Sequence, residues 1–134
     1  MIKRTLGCAV LCMWAMASVT LLAHHSLAGV YDMKSDKELT GALESIKFSN
    51  PHGSLTIVVK NADGKITPWV MTLGSATGLA QRGIGRTGPN ALHINDVIKV
   101  KFLPALDGSP IGFLKTVTMP DGRVIVVSAG GPND

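Results

Sequence analysis

The chain has 134 residues, of which 46% are hydrophobic and 16% charged, and its formal net charge is +4 at pH 7. This length fits one ordinary domain with a core of its own. Without Lys3 and Arg4 the formal charge falls from +4 to +2. So weak a basic excess argues against nucleic acid or an anionic membrane surface as a partner.

The start of the chain, residues 1–23, predicts a secretory signal peptide. Lys3 and Arg4 come first, and an uncharged run of 18 residues over 6–23 follows and ends in the small residue Ala23. A basic segment, an apolar segment and a small residue at the cut are the three parts of such a leader. We therefore expect a periplasmic or secreted protein.

Cleavage after Ala23 would make His24 the first residue of the exported protein. Two alternatives stay open. The first is an uncleaved membrane anchor, since the run is near the lower length limit for one. The second is cleavage after Ala28, which would remove His24 and His25. Both cysteines, Cys8 and Cys12, precede either cut, so the exported chain is expected to have no disulfide and no thiolate metal site.

The remainder divides into an extended segment over 24–38, a barrel domain over 39–128 and a flexible tail over 129–134. Three Asp-Gly pairs separate alternating apolar runs, and this dipeptide is a strong hairpin signal because both residues accept positive φ. The predicted strands cover 39–49, 54–60, 66–73, 97–103, 113–119 and 123–127.

One short helix interrupts the strands, between the third and the fourth. Ser75 is a suitable N-cap and Gly83 a suitable stop for a helix within 74–82. This order favours an all-β fold, a small OB-like Greek-key barrel of five to six strands with one short helix. A small β-sandwich with the same number of strands is the alternative.

Several motifs of the chain are shared with one protein family. The most specific are His24-His25-Ser26 and Asn50-Pro51-His52, and further matching segments follow at 73–75, 107–110 and 119–122. With these motifs the chain resembles a domain-of-unknown-function family of small exported bacterial proteins. The resemblance implies export and a small β-barrel, and it implies no particular activity.

The sharpest functional hypothesis is a copper or zinc site made of His24, His25 and His52. An amino-terminal histidine offers its amine and its ring Nδ1, and a second imidazole completes a nitrogen ligand set that suits copper(II). This site requires the amino-terminal segment to fold back onto the turn that carries His52. The alternative is a solvated amino-terminal tail and a histidine bonded within its own turn.

The rival hypothesis is a metal-free module that binds a protein partner or a small molecule on the barrel. Trp69 would contribute an aromatic surface, and Arg82 and Arg86 would bind an anion at the glycine-rich loop over 83–89. The more ordinary roles are packing for Trp69 and a helix C-terminal contact for Arg82. No nucleophile or paired-carboxylate pattern indicates catalysis, so we expect a binding protein rather than an enzyme.

Overall fold

The computed structural model describes residues 27–128, which form six strands and one short α-helix after a 3-10 turn at Leu27–Gly29. The elements in chain order are β1 (Lys37–Lys47), β2 (Ser54–Lys60), β3 (Ile66–Thr72), α1 (Ala76–Gln81), β4 (Val97–Pro104), β5 (Ile111–Thr118) and β6 (Val124–Val126). The predicted leader and the predicted tail lie outside the described residues.

The first five strands close into a barrel in the order β3-β2-β1-β4-β5. Closure comes from a short parallel pairing of β3 with β5, in which Val70 faces Ile111 and Thr72 faces Phe113. β6 extends the sheet beyond β5 as an antiparallel strand. The expected OB-like barrel, with its helix between the third and fourth strands, is therefore confirmed. The sandwich alternative is wrong because the strands make one closed sheet rather than two facing sheets.

The long strand β1 takes part in both halves of the barrel. Its first half pairs with β4 and its second half with β2, and Ala42 pairs with both neighbours. Gly41 lies at this change of partner, where an added Cβ would come 2.5 Å from the Val58 carbonyl oxygen. Only a residue without a side chain fits so close to the neighbouring backbone.

The barrel interior is filled by the inward-facing side chains of all five barrel strands, with Phe102, Leu43, Ile57, Met71 and Leu114 among the fully buried ones. A second, smaller cluster lies on the outer surface of the barrel. It consists of Tyr31, Leu103 and Phe113, with Leu27 packed against it. The second cluster holds the segment that precedes β1 against the barrel.

Candidate metal site at the end of the barrel

The turn that carries His52 joins β1 to β2 and is held by hydrogen bonds to its surroundings. Within the turn, the Ser49 hydroxyl donates to the His52 carbonyl at 2.6 Å. The Asn50-Pro51 peptide bond, just before His52, is cis. The Ala76 amide, at the start of α1, donates to the Ser49 carbonyl at 3.2 Å.

Two further bonds join this turn to the end of β3. The Gly53 amide donates to the Gly74 carbonyl at 3.1 Å, and the Leu73 amide donates to the Gly53 carbonyl at 3.0 Å. The backbone of the turn is thus fixed, whereas the His52 side chain is exposed. Within residues 27–128 no hydrogen bond or ion pair of its imidazole is found.

The segment that leads into the barrel is fixed along its backbone. The 3-10 turn is closed by the amides of Val30 and Tyr31, which both donate to the Leu27 carbonyl. The Val30 carbonyl accepts from the Leu106 amide at 2.9 Å, and the Asp32 amide donates to the Pro104 carbonyl at 2.8 Å. Because these partners are the end of β4 and the connection after it, the segment runs alongside that part of the barrel and pairs with it through one isolated bridge, Tyr31 with Ala105.

Tyr31 links this segment to the strand next to the histidine turn. Its side chain is 7% exposed, and its ring packs at a tilt against Phe113 with 5.7 Å between ring centroids. Its hydroxyl lies 2.8 Å from the Thr72 hydroxyl. Thr72 is paired with Ser54, which begins β2 two residues after His52. The start of the described chain therefore reaches the end of the barrel where the turn lies.

His24 and His25 lie outside the described residues. Two residues separate His24 from Leu27 along the chain. The described residues alone contain no group of three or more His, Cys, Asp or Glu side chains able to hold a metal ion.

The side-chain oxygens of Tyr31 and Asp32, at the start of the described chain, already have hydrogen-bond partners. The Tyr31 hydroxyl is bonded to Thr72, and the Asp32 carboxylate accepts from the Ser35 hydroxyl at 2.6 Å and from the Lys34 amide at 3.0 Å. These two bonds lower the pKa of Asp32 below its ordinary value. Both side chains are thus engaged in hydrogen bonds within the described residues.

His93 lies away from the histidine turn, in the connection before β4. Its amide donates to the Asp96 carboxylate at 2.9 Å, and its ring Nδ1 lies 3.6 Å from the same oxygen. This local pairing of His93 with Asp96 closes a turn before β4.

The residues of the metal-free hypothesis, Trp69, Arg82 and Arg86, have different surroundings in the structure. Trp69 is half-buried against the barrel core, with its ring 5.5 Å from that of Phe102. The Arg82 guanidinium donates to the Val127 carbonyl, which joins the end of α1 to the chain after β6. Arg86 is exposed. Packing explains Trp69 and a backbone contact explains Arg82.

Sequence reasoning missed the residue that fixes the glycine-rich loop. Arg123, at the start of the last hairpin, donates to the Asn90 side chain and to the Pro89 carbonyl, each at 2.9 Å, and to Asp121 at 2.7 Å. This contact spans more than 30 residues of chain, so no local pattern could reveal it. The loop is anchored at its end rather than left free to close around a ligand.

A shallow apolar groove was also missed. It has a volume of about 220 Å³ and lies between the amino-terminal segment and the β4–β5 connection, where Val30, Leu106 and Ile111 line it. Leu106 is 59% exposed and Val30 46%. The groove exists because two segments far apart in sequence meet there.

No helix in residues 27–128 is long and apolar enough to cross a membrane.

Comparison with known proteins gives one finding. A family model described as "Family of unknown function (DUF6152)" matches residues 11–115. No curated protein and no solved structure matches the chain. The matched range covers the barrel up to β5 and well over half of the 134 residues. The expected membership of a domain-of-unknown-function family is thus confirmed, and the chain belongs to DUF6152.

Proposed function

We propose that this protein is an exported, periplasmic binding protein that takes up copper or zinc through His24, His25 and His52. One observation carries the proposal: the hydrogen bond between the Tyr31 and Thr72 hydroxyls. It ties the segment that follows the two amino-terminal histidines to the strand end beside the turn of His52. The metal hypothesis requires His24 and His25 to fold back in the same direction, and the contact of Tyr31 supports the proposal without describing them.

The ligand chemistry favours copper(II). A free amino terminus at His24 would supply an amine nitrogen and a ring nitrogen, and His52 would add an imidazole from the barrel. A set of nitrogen ligands suits the tetragonal geometry of copper(II), which also binds such sites more tightly than zinc does. Storage, delivery or sensing of the metal are the roles that fit a site without a catalytic group.

The test uses the full chain, expressed with its own leader and recovered from the periplasm. We expect a native mass spectrum to show a protein that starts at His24 and retains one copper(II) after addition of one equivalent. A start at Gly29, or a start at His24 without copper retention, would overturn the proposal. The metal-free binding module would then be the working model.

Two variants locate the metal. Replacing His24 and His52 together by alanine should abolish stoichiometric copper retention, because each removes a ligand from a different part of the site. Acetylating the amino terminus of His24 should weaken retention as well, since the amine nitrogen would no longer be a free ligand. Replacing His93 by alanine is the matched control, because this exposed histidine pairs with Asp96 elsewhere on the barrel.

A further inference from the structure

We infer that the free edge of β6 is a dimerisation surface, at which β6 of a second copy of this chain adds as an antiparallel strand. β6 consists of Val124, Ile125 and Val126 and is the last strand in the order of the sheet. β5 pairs with it along one side. Within residues 27–128 no strand pairs with its other side, which is therefore an open sheet edge.

The backbone groups of Val124 and Val126 point toward this open edge. Just beyond β6, the Val127 amide donates to the Lys115 carbonyl of β5 at 2.8 Å. Hydrogen-bonded residues alternate with non-hydrogen-bonded residues along an antiparallel ladder. Ile125 is therefore the residue of β6 that is hydrogen-bonded to β5, and the two valines turn their amide and carbonyl groups away from β5. A second strand would supply the partners that these groups need.

The side chains on this edge are also suited to a contact. Val124 and Val126 are 62% and 57% exposed. They lie on the outer face of the sheet, since side chains alternate along a strand and Ile125 packs against the core. Proteins usually protect an open edge against pairing with another chain by placing lysine or proline on it. The edge of β6 has neither residue.

Another open stretch of edge, in the first half of β3, has this protection. β3 pairs with β5 only from Val70 onward, so residues 66–69 have no neighbour on that side. The Val70 amide donates to the Pro110 carbonyl on the β5 side. By alternation, Pro68 is the preceding residue whose backbone nitrogen points to this edge, and proline has no amide hydrogen to donate. The contrast with β6 favours β6 as the edge that binds a partner.

The sequence of β6 fits a second copy of the same strand. It reads Val-Ile-Val in both directions. Two such strands, related by a twofold axis at Ile125, place each Val124 opposite Val126 of the other copy. Since these residues have the outward backbone groups, each pair can exchange both of its hydrogen bonds. The exposed valines cover one another, which removes apolar surface from water.

The symmetry and the size of this contact determine the kind of assembly. A twofold contact uses the same edge on both copies, so it closes as a dimer and does not grow into a filament. A strand of three residues buries much less surface than the roughly 1,200 Å² at which standard interfaces begin. We therefore expect a weak dimer that forms at high protein concentration and dissociates on dilution.

Sedimentation equilibrium of the full chain, recovered from the periplasm, tests for the dimer. The protein is measured up to millimolar concentration in the presence of a chelator. The chelator removes any metal ion that could join two copies, so the result is independent of the proposed metal site. We expect the mean mass to rise from that of a monomer toward that of a dimer. A monomer mass at every concentration would overturn the inference.

Amide hydrogen exchange, measured by nuclear magnetic resonance, locates the contact. In the dilute protein, the Ile125 amide should exchange slowly because it is bonded to β5, and the amides of Val124 and Val126 should exchange fast. At the concentrations at which the dimer forms, the two valine amides should become protected. A dimer in which both valine amides still exchange fast would use another surface, and the inference would be wrong.

Substitutions on β6 separate the dimer from the fold. Val124→Pro and Val126→Pro each remove an outward amide, and the hydrogen bonds to β5 remain because neither amide takes part in them. Each variant should be a monomer with the circular dichroism spectrum of the wild type. The double variant Val124→Lys with Val126→Lys keeps both amides and places like charges opposite each other, so it should be a monomer as well.

Ile66→Lys is the matched control, because it replaces an apolar side chain that is 64% exposed on β3. It should form the dimer at the same concentrations as the wild type. An equal loss of the dimer in this control and in the β6 lysine variant would show a general effect of added charge. That result, or a dimer that persists in both proline variants, would overturn the inference.

Discussion

At the scale of single residues, the barrel depends on places where one strand passes very close to another. Gly112 is the clearest case, because a Cβ built on it would overlap the ring of Phe102, and Phe102 is fully buried in the core. Phe102 and Gly112 lie on the antiparallel neighbours β4 and β5. The largest core side chain thus occupies the space that the glycine leaves open.

We predict that Gly112→Ala destabilises the protein by about 1–3 kcal/mol, the range for an added methyl group in a well-packed core. Urea denaturation followed by circular dichroism measures the effect. Gly85→Ala is the matched control, since its Cβ would make only an ordinary contact, 3.7 Å from the Thr87 carbonyl oxygen. Equal midpoints for the two variants would show that Phe102 moves aside without cost.

At the scale of elements, the short helix α1 is hydrogen-bonded to the histidine turn between β1 and β2. The helix has six residues, and Leu79 is its buried contact. Ser75 caps it by accepting a hydrogen bond from the Gly78 amide at 3.1 Å. The first helical residue, Ala76, donates to the Ser49 carbonyl in the histidine turn. The cap therefore supports the helix and the turn together.

We predict that Ser75→Ala lowers the free energy of unfolding by about 1 kcal/mol, the usual cost of losing a side-chain N-cap. Thermal and urea unfolding would measure it. Ser75→Asp retains an acceptor at the same place and should stay close to the wild type. Thr77→Ala, at an exposed helical position, provides the second comparison. A loss in Ser75→Asp equal to that in Ser75→Ala would contradict a capping role.

At the scale of the whole molecule, ion pairs join the amino-terminal segment to two barrel strands. Asp36 accepts from Lys115 of β5 at 3.0 Å and from Lys101 of β4 at 3.1 Å. The hydrogen bond from Lys115, followed by that from Lys101, lowers the pKa of Asp36 below its ordinary value. Stability from a carboxylate with a lowered pKa is present above the pKa of the unfolded chain and is lost on acidification.

We predict that the free energy of unfolding falls as the pH decreases below about 4, where aspartate begins to protonate in an unfolded chain. Asp36→Asn should make this fall shallower, because one of the groups responsible is gone. Urea unfolding at a series of pH values between 2 and 7 checks the prediction. A pH dependence identical to that of the wild type would show that the two lysines contribute nothing through Asp36.

Much of the fold follows from local sequence patterns. The three Asp-Gly turns are found where they were predicted, with positive φ at Gly64, Gly108 and Gly122. Pro68 is accommodated within β3 because it lies in the part of that strand that has no β5 partner. A residue without an amide hydrogen is tolerated at such an open edge.

The candidate site was predictable only in part. The His52 turn was visible as a motif, and His24 and His25 depended on the predicted cleavage. The contact of Tyr31 with Thr72 was missed. A signal for it existed, because the hydroxyl of a tyrosine needs a hydrogen-bond partner when its ring is buried. Its partner, Thr72, is 41 residues away, so sequence spacing could not identify it.

The sequence by itself determined the number of strands, the place of the helix and the positions of the turns, because these depend on alternation and on backbone freedom within a few residues. The tertiary structure decided the closure of β3 on β5, the anchoring of the loop by Arg123 and the contact of Tyr31 with Thr72. Each of these joins distant segments through the register of the strands. Strand register depends on the packing of the whole core, so a short stretch of sequence cannot predict it.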